Sequence, residues 1–476
     1  MQRLYRNCYA MDRKCYEEYG LSEDLLMEHA AEGMARAIRE RFEPGSRVLI
    51  AAGPGNNGAD GITLARLLQG RYDLGLLLPM GAKSAMAKLQ LERARKVGVP
   101  IVEELFEAEL VVDALFGAGL SRPLTEEIAA LVEDLNVLEG FKLACDIPTG
   151  LDERGTPLPV AFRADLTVTM GALKEALYSD AAKEYVGRVE CVDLGVERLL
   201  YEEESRCRLL EVQDFEPPLR ADRPASHKGS FGHAAVFCGE KSGAGIIAAT
   251  AAARFGAGLT TLVIHEKVSA PPFLMTATTV PPKATALVIG MGLGEYFEEE
   301  LLAREVVDSA LPVVLDADAF SKPELLRILH DERREIVITP HPAEFARLWR
   351  IVADEELSVE AIQADRFETA RRFSARFPHV VLLLKGANPI IAHLGELWVN
   401  PLGTPALAKG GSGDVLSGLV VALLAQGCEA LDAAIQGSLA LALAARSYDG
   451  ADYAMLPTDL IDALGRLDRM EMKKEK

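Results

Sequence analysis

Four short stretches place polar groups where a backbone also lets a ligand come close. The first is GPGNNGADG (53–61), directly after the apolar run VLIAA. Its glycines Gly53, Gly55 and Gly58 spell GxGxxG, the pattern that wraps the pyrophosphate of a dinucleotide cofactor. That use also requires an acid at the end of the next strand, ~20 residues on, for the ribose hydroxyls. The next apolar run is LGLLLPMGAK; Asp73 precedes it and no acid ends it. A redox NAD site is therefore disfavoured. The side chains say more: Asn56, Asn57 and Asp60 crowd between glycines, and amides and carboxylates supply donors and acceptors. A plain turn followed by a helix N-cap would use the same residue types.

DALFGAGLSRP (113–123) and DIPTGLD (146–152) each end an apolar run with an acid and a glycine loop; Thr149 stands three residues after Asp146. An aspartate closing a run such as LACD is costly unless paired, ligated or put to use. Three acid-bearing loops on one sheet edge favour a site over three separate structural groups. The fourth stretch is LAKGGSGDVLSG (407–418), where Gly410, Gly411 and Gly413 precede the helical run VLSGLVVALLAQG. Free N–H groups at a helix start attract an anion. Asp414 at that start is placed to take a proton from a hydroxyl that attacks phosphorus. The plainer alternative is a glycine turn with an Asp N-cap. Lys228, in HKGSFG, reads as a solvated side chain.

The elements that hold these loops alternate. RVLIAA, LGLLLP, LVVDALFG, KLACDIP and DLTVTM are short apolar runs of the first half; HAAVFCG, LTTLVI, ALVIG, PVVLDAD, EIVITPH and VVLLLKG are those of the second. Helix-length segments such as ADGITLARLLQG and GIIAATAAARFGAG lie between them. This pattern predicts α/β architecture, with parallel sheets covered by helices on both faces and ligands beyond the carboxyl ends of strands. A chain of 476 residues exceeds one ordinary core, so two domains are expected. The charged, proline-bearing stretch YEEESRCRLLEVQDFEPPLRADRPASHKGS breaks the periodicity and sets the join near residues 205–222. We divide the chain at 1–208 and 209–476.

Composition narrows the class. Hydrophobic residues at 49% and charged ones at 26% describe a globular protein. A net charge of −20 repels nucleic acid and anionic membranes, so neither is expected as a partner. The seven cysteines are scattered, without a CxxC pair, which favours free thiols over disulfides or zinc. No signal-peptide core or bilayer-length apolar run is visible, and a cytoplasmic protein is expected.

Together, GPGNNGADG, DALFGAGL and DIPTGLD resemble the YjeF N-terminal family, the NAD(P)H-hydrate epimerases, over roughly residues 1–205. Ala59 and Thr149 stand where Gly and Ser are commoner. The resemblance implies a Rossmann-like three-layer domain that interconverts the R and S forms of NADH or NADPH hydrated at C6 of the ring. It implies substrate contacts at Asn56, Asn57, Gly58, Ala59 and Asp60 and at Gly117, Ala118, Gly119, Leu120, Ser121, Arg122 and Pro123. Asp146 would be the acid/base, provided its surroundings raise its pKa. Potassium would sit on Asn57, Asp113 and Thr149; a large monovalent cation suits oxygen ligands.

The GxGD helix start resembles the ribokinase-like fold. HKGSFGHAAVFCG, the GAG of EKSGAGIIAATAAARFGAG, GMGLG, LDADAF, TPHPAEF and KGANP narrow the likeness to ADP-dependent NAD(P)H-hydrate dehydratases over about residues 223–465. Lys241, Ser242 and Pro389 depart from the commoner residues. The resemblance implies that Asp414 is the catalytic base and that Ala244, Gly292 and His341 contact the S hydrate. It implies that Lys385, Gly386, Ala387, Asn388, Pro389 and Gly413 hold ADP, that magnesium accompanies it, and that the protein is a homo-oligomer. The rival reading is a small-molecule kinase fused to a noncatalytic nucleotide-binding domain.

Overall fold

The computed structural model describes residues 1–120, 122–218, 220, 224–294 and 299–467. The chain divides into two compact units: Arg3–Ser205, and the chain from Arg206 onward counted with Met1–Gln2.

In the first unit seven strands form one sheet: β1 (Arg47–Ala52), β2 (Asp73–Leu77), β3 (Ile101–Val102), β4 (Leu110–Ala114), β5 (Phe141–Cys145), β6 (Leu166–Met170) and β7 (Arg188–Val192). Their order is β3-β2-β1-β4-β5-β6-β7, every pairing parallel. β4 is LVVDA, buried at all five positions, because helices cover both faces of a parallel sheet. Strand order reverses between β1 and β4, and their carboxyl ends open the crevice where such sheets bind ligands. Three helices frame that edge: α1 (Tyr9–Glu17), α2 (Glu23–Arg39) and α3 (Asn56–Leu68). Ser22 caps α2 by accepting from the N–H of Leu25.

The second unit has its own sheet: β8 (Cys207–Leu209), β9 (His233–Cys238), β10 (Leu259–Ile264), β11 (Met275–Ala277), β12 (Ala286–Ile289), β13 (Val313–Leu315), β14 (Ile336–Ile338), β15 (Val381–Leu384), β16 (Ile390–His393) and β17 (Glu396–Val399). Their order is β11-β10-β9-β12-β13-β14-β15-β16-β17-β8. Two features differ from expectation. β15, β16 and β17 pair antiparallel, so KGANP is a hairpin loop with Leu384 facing Ile390. The stretch expected to be a linker supplies β8, a three-residue strand parallel to β17. Neither the local composition nor so short a run marks it; its pairing partner does.

Around this sheet stand α4 (Ser242–Arg254), α5 (Pro342–Ala353), α6 (Arg366–Arg376) and α7 (Ser412–Ala425). α7 is apolar around most of its circumference and packs on α4. Gly418 makes the close approach: a Cβ there would lie 2.2 Å from the carbonyl oxygen of Ala248 and 2.8 Å from the Cβ of Ala251. Replacing a mid-helix glycine by alanine ordinarily adds about 1 kcal/mol of helix stability. Here backbone atoms cannot yield, so overpacking should win. Gly418→Ala is expected to lower stability by about 1–2 kcal/mol, seen as an earlier urea midpoint, whereas a later midpoint would show that the helices separate freely.

Candidate functional site

In the first unit the loop after β1 becomes the start of α3. Gly55 is the N-cap and lends no side chain, so Asn56, Asn57 and Asp60 are released from the capping role their types allow. Gly58 is obligatory: a Cβ would stand 1.9 Å from the carbonyl oxygen of Gly53. Gly117 packs the second loop onto the first, its Cβ position 2.8 Å from Asn57 Oδ1 and 3.2 Å from Asp146 Oδ2. Beneath them, Asp113 is buried at the end of β4. Its carboxylate accepts from the Thr149 N–H and hydroxyl, both at 2.7 Å, and from the Leu115 N–H at 3.1 Å. Burial pushes Asp113 up to about 6, against the pull of those hydrogen bonds.

A cavity of about 810 Å³ opens above these loops. Asn56, Asn57, Asp60, Gly117, Ala118, Gly119, Leu120 and Asp146 lie on its wall. Gly58 and Ala59 are buried behind it, as are Asp113 and Thr149. Arg122 and Pro123 are exposed and are not on that wall; Ser121 lies outside the described residues. Asp146 has a left-handed backbone, φ 68°, an unusual state for a residue with a Cβ. That turn aims its carboxylate at Lys174, which sequence reasoning missed. The Lys174 Nζ donates to Asp146 Oδ1 at 2.7 Å, to Thr169 Oγ1 at 2.8 Å and to the Met170 carbonyl at 3.0 Å.

This corrects the expected titration of Asp146. Burial works to raise its pKa, but the Lys174 charge and hydrogen bond, with the Met170 N–H and Thr169 hydroxyl, hold it below the ordinary carboxylate value. Asp146 is therefore a resident carboxylate. The carboxyls whose pKa is raised are its neighbours. Burial, then the charges of Asp146, Asp12 and Glu23, push Asp60 well above the usual range. Burial and Asp146 likewise raise Asp12 on α1, against the pull of Lys174. Asp12 and Tyr16 sit one turn apart on α1 and both line the cavity. Nothing in their spacing marked them, because α1 is short and largely polar.

In the second unit the order reverses between β9 and β12. There Gly292 (φ 57°) accepts at its carbonyl from the Lys241 N–H at 3.0 Å, and its Cβ position lies 3.3 Å from the Cβ of Ala244. The two expected contacts thus meet at the switch point. GSGD starts α7 with Gly411 as a left-handed N-cap (φ 96°), so Asp414 stands in the first helical turn and is not the cap. Burial first, then the charges of Asp316 and Glu344, raise Asp414 to about 6, against the pull of Lys385. Lys385 leaves the end of β15 and donates to Asp316 at 2.8 Å and lies 3.3 Å from Glu344. Its Nζ is 3.6 Å from the Cβ position of Gly413, which brings the KGANP and GSGD loops together.

His341 is exposed and caps α5: its Nδ1 accepts from the N–H groups of Ala343 and Glu344, and its Nε2 lies 3.1 Å from Glu344. Gly386 and Ala387 are exposed at the hairpin tip, whereas Asn388 is buried and Pro389 half-buried. Asp316, Glu344 and Ser417 were not singled out in the sequence, although all three lie within quoted motifs; Ser417 donates to Asp316 at 2.8 Å. Lys228 is exposed, as expected. All seven cysteines are free. No described helix is long and apolar enough to cross a membrane.

Fold and sites define a two-domain α/β enzyme, a Rossmann-like unit followed by a ribokinase-like one. A family described as "YjeF-related protein N-terminus" matches residues 23–176, and one described as "NAD(P)H-hydrate dehydratase" matches residues 234–466. A protein of Helicobacter pylori named bifunctional NAD(P)H-hydrate repair enzyme is 41% identical over 98% of this chain and 100% of its own length. A protein of the same name from Coxiella burnetii is 34% identical over 98% of this chain and 99% of its own. A solved ADP/ATP-dependent NAD(P)H-hydrate dehydratase from Bacillus subtilis, co-crystallised with ATP and Mg2+, is 27% identical and covers 54% of this chain and 95% of its own, with a TM-score of 0.46. The chain belongs to the family of bifunctional NAD(P)H-hydrate repair enzymes. Matches that span both halves in one order do not favour the kinase reading.

The Lys174–Asp146 pair generates a prediction. Removing one partner of a buried ion pair leaves the other charge uncompensated, at a cost of about 3–5 kcal/mol. Lys174→Met is expected to lose that stability, and adding Asp146→Asn to restore much of it. A double-mutant cycle by chemical denaturation reads the coupling; additive losses would mean the pair contributes nothing as a pair.

Proposed function

We propose that the protein repairs hydrated NADH and NADPH, with an epimerase domain at residues 1–208 and an ADP-dependent dehydratase domain at 209–476. The observation that carries the reading is shared by both units. In each, the expected aspartate stands at a carboxyl strand edge or helix start under the charge of a lysine: Asp146 with the buried Lys174, Asp414 with the half-buried Lys385.

In the first domain the hydrate enters the cavity between α1 and the loops at 53–61 and 117–123. Asp146, ionised, is the base. The raised acids Asp60 and Asp12 are placed to return a proton, since groups pushed apart in pKa divide the acid and base roles. A potassium site fits the donor set. The Asn57 amide nitrogen is buried without a hydrogen-bond partner, and a half-turn of the amide brings its oxygen there. Thr149 Oγ1 lies 2.7 Å from Asp113 and 3.1 Å from the Phe116 carbonyl. Asn57, Asp113 and Thr149 would hold the ion, whose positive charge would orient the substrate's anionic and carbonyl oxygens.

In the second domain Asp414 takes the proton from the ring hydroxyl of the S hydrate. The oxygen attacks the β-phosphorus of ADP, and AMP departs. N–H groups around Gly411–Gly413 and the Lys385 ammonium face the transferring charge. Elimination of phosphate then regenerates NAD(P)H. Ala244, Gly292 and His341 contact the hydrate; Lys385, Gly386, Ala387, Asn388, Pro389 and Gly413 hold the nucleotide. Among the described residues no group of three or more His, Cys, Asp or Glu is arranged to hold a metal ion. Magnesium would accompany the nucleotide, whose phosphates would supply much of its oxygen shell. The same reading makes the protein a cytoplasmic homo-oligomer with small-molecule substrates.

The test mixes the R and S hydrates of NADH with protein, K+, Mg2+ and ADP, and follows dihydronicotinamide absorbance. Full recovery is expected. A stall at the S fraction would remove the epimerase assignment, and no recovery with ADP or ATP would remove the dehydratase. Asp414→Asn should abolish dehydration and leave R/S exchange intact. Asp146→Asn, which keeps the shape and suits the left-handed backbone, should remove exchange only; loss of both activities in either variant would contradict two separate sites.

The pH profile is a further check. Asp414 must be ionised to act, and its pKa is raised to about 6. The kcat/KM for dehydration should be level above that pH and fall about tenfold per unit below it. A limb near pH 4 would mean that burial does not tune this acid.

A further inference from the structure

The hairpin loop Lys385–Pro389 is held from beneath by a residue that neither motif nor resemblance singles out. Arg366 is the first residue of α6 and is buried, 4% exposed. Its guanidinium donates to three backbone carbonyls of the hairpin: Leu384 at 2.8 Å, Lys385 at 3.0 Å and Asn388 at 3.1 Å. The ladder between β15 and β16 pairs Leu384 with Ile390 and stops there, so the carbonyls of Lys385 and Asn388 lie beyond it. Buried carbonyls need donors, and a planar fork of five N–H groups serves several at once where an ammonium serves them poorly. Arg366 is itself fixed, because Asp365 caps α6 by accepting from the Glu368 N–H at 2.9 Å.

The consequence falls on Lys385. Its carbonyl is held by Arg366 and its Nζ by Asp316, so both ends of one residue are anchored before any ligand arrives. The exposed tip, Gly386 and Ala387, follows directly on this anchored lysine, whose Nζ reaches the GSGD helix start. We propose that Arg366 is the positioning residue of the nucleotide loop, setting affinity for the nucleoside diphosphate while contributing nothing to hydrate binding. This rests on the reading of the second unit as a nucleotide-using dehydratase.

The experiment uses the full chain as wild type, Arg366→Met and Arg366→Lys. ADP with Mg2+ is titrated calorimetrically without hydrate, and KM values for ADP and for the S hydrate are then measured separately. Arg366→Met is expected to weaken ADP on the order of tenfold or more, as loss of charged hydrogen bonds to a loop should. The hydrate KM and the epimerase rate should stay within about twofold. Arg366→Lys, able to reach fewer carbonyls, should fall between and serves where the Met variant does not fold. Unchanged ADP affinity in a folded variant overturns the proposal. So does an equal rise in both KM values, the mark of a general loss of structure. Failure of wild type to bind ADP or ATP would instead overturn the dehydratase reading itself.

Discussion

An ammonium group drawn out of water must be answered by carboxylates, and in both units that requirement organises the site, around the buried Lys174 and the half-buried Lys385. Lys385 draws Asp316 from the end of β13 and Glu344 from the first turn of α5 to one point. The same Asp316 holds Ser417 of α7. Two loops and two helices that are distant in sequence are thereby tied at the carboxyl edge of the sheet. Lys174 does the corresponding work in the first unit, fastening Asp146 to the end of β6 through Thr169 and Met170. An unpaired charge in either place would be prohibitive, so the pairs act as constraints on loop position more than as sources of stability.

The constraint also explains how two aspartates with the same chemistry acquire different titration. Asp146 touches its lysine and is held as the carboxylate. Asp414 does not; Asp316 and Glu344 lie closest to the Lys385 ammonium, and at Asp414 burial and two like charges outweigh the remaining pull of Lys385. One lysine per site therefore gives opposite outcomes, decided by which carboxylate sits nearest. Proximity to a cation is too coarse a description; the partner of the hydrogen bond decides.

Much of this was legible in sequence because strand ends advertise themselves. β4 and β5 are apolar runs that end in Asp113 and Asp146, and a polar group after such a run has few places to go. The glycines of 53–61 announced close approach, and Gly58 against Gly53 shows why. What stayed hidden depends on pairings between distant residues. Lys174 lies past β6 with no pattern around it, and its role follows from the left-handed turn at Asp146, which no local rule dictates. β8 is three residues in a charged segment and exists because β17 offers an edge. The antiparallel return at KGANP was hidden because VVLLLKG reads alike for either strand direction. Arg122 and Pro123 belong to the right motif, yet the loop carries them off the cavity wall.

The two sites share one design logic at different places in their sheets. In the first unit the expected loops gather near the reversal between β1 and β4, so Asn56, Asn57, Asp60, Gly117 and Asp146 line one cavity. In the second unit the reversal between β9 and β12 holds only Ala244 and Gly292, while the KGANP loop stands three strands further along, after β15. α7 begins beside that loop, as the approach of Lys385 to Gly413 shows. A one-substrate isomerisation needs a single crevice. A reaction that joins a hydroxyl to a phosphoryl group needs two binding places with a base between them, and on the proposed reading the helix start carrying Asp414 would supply it.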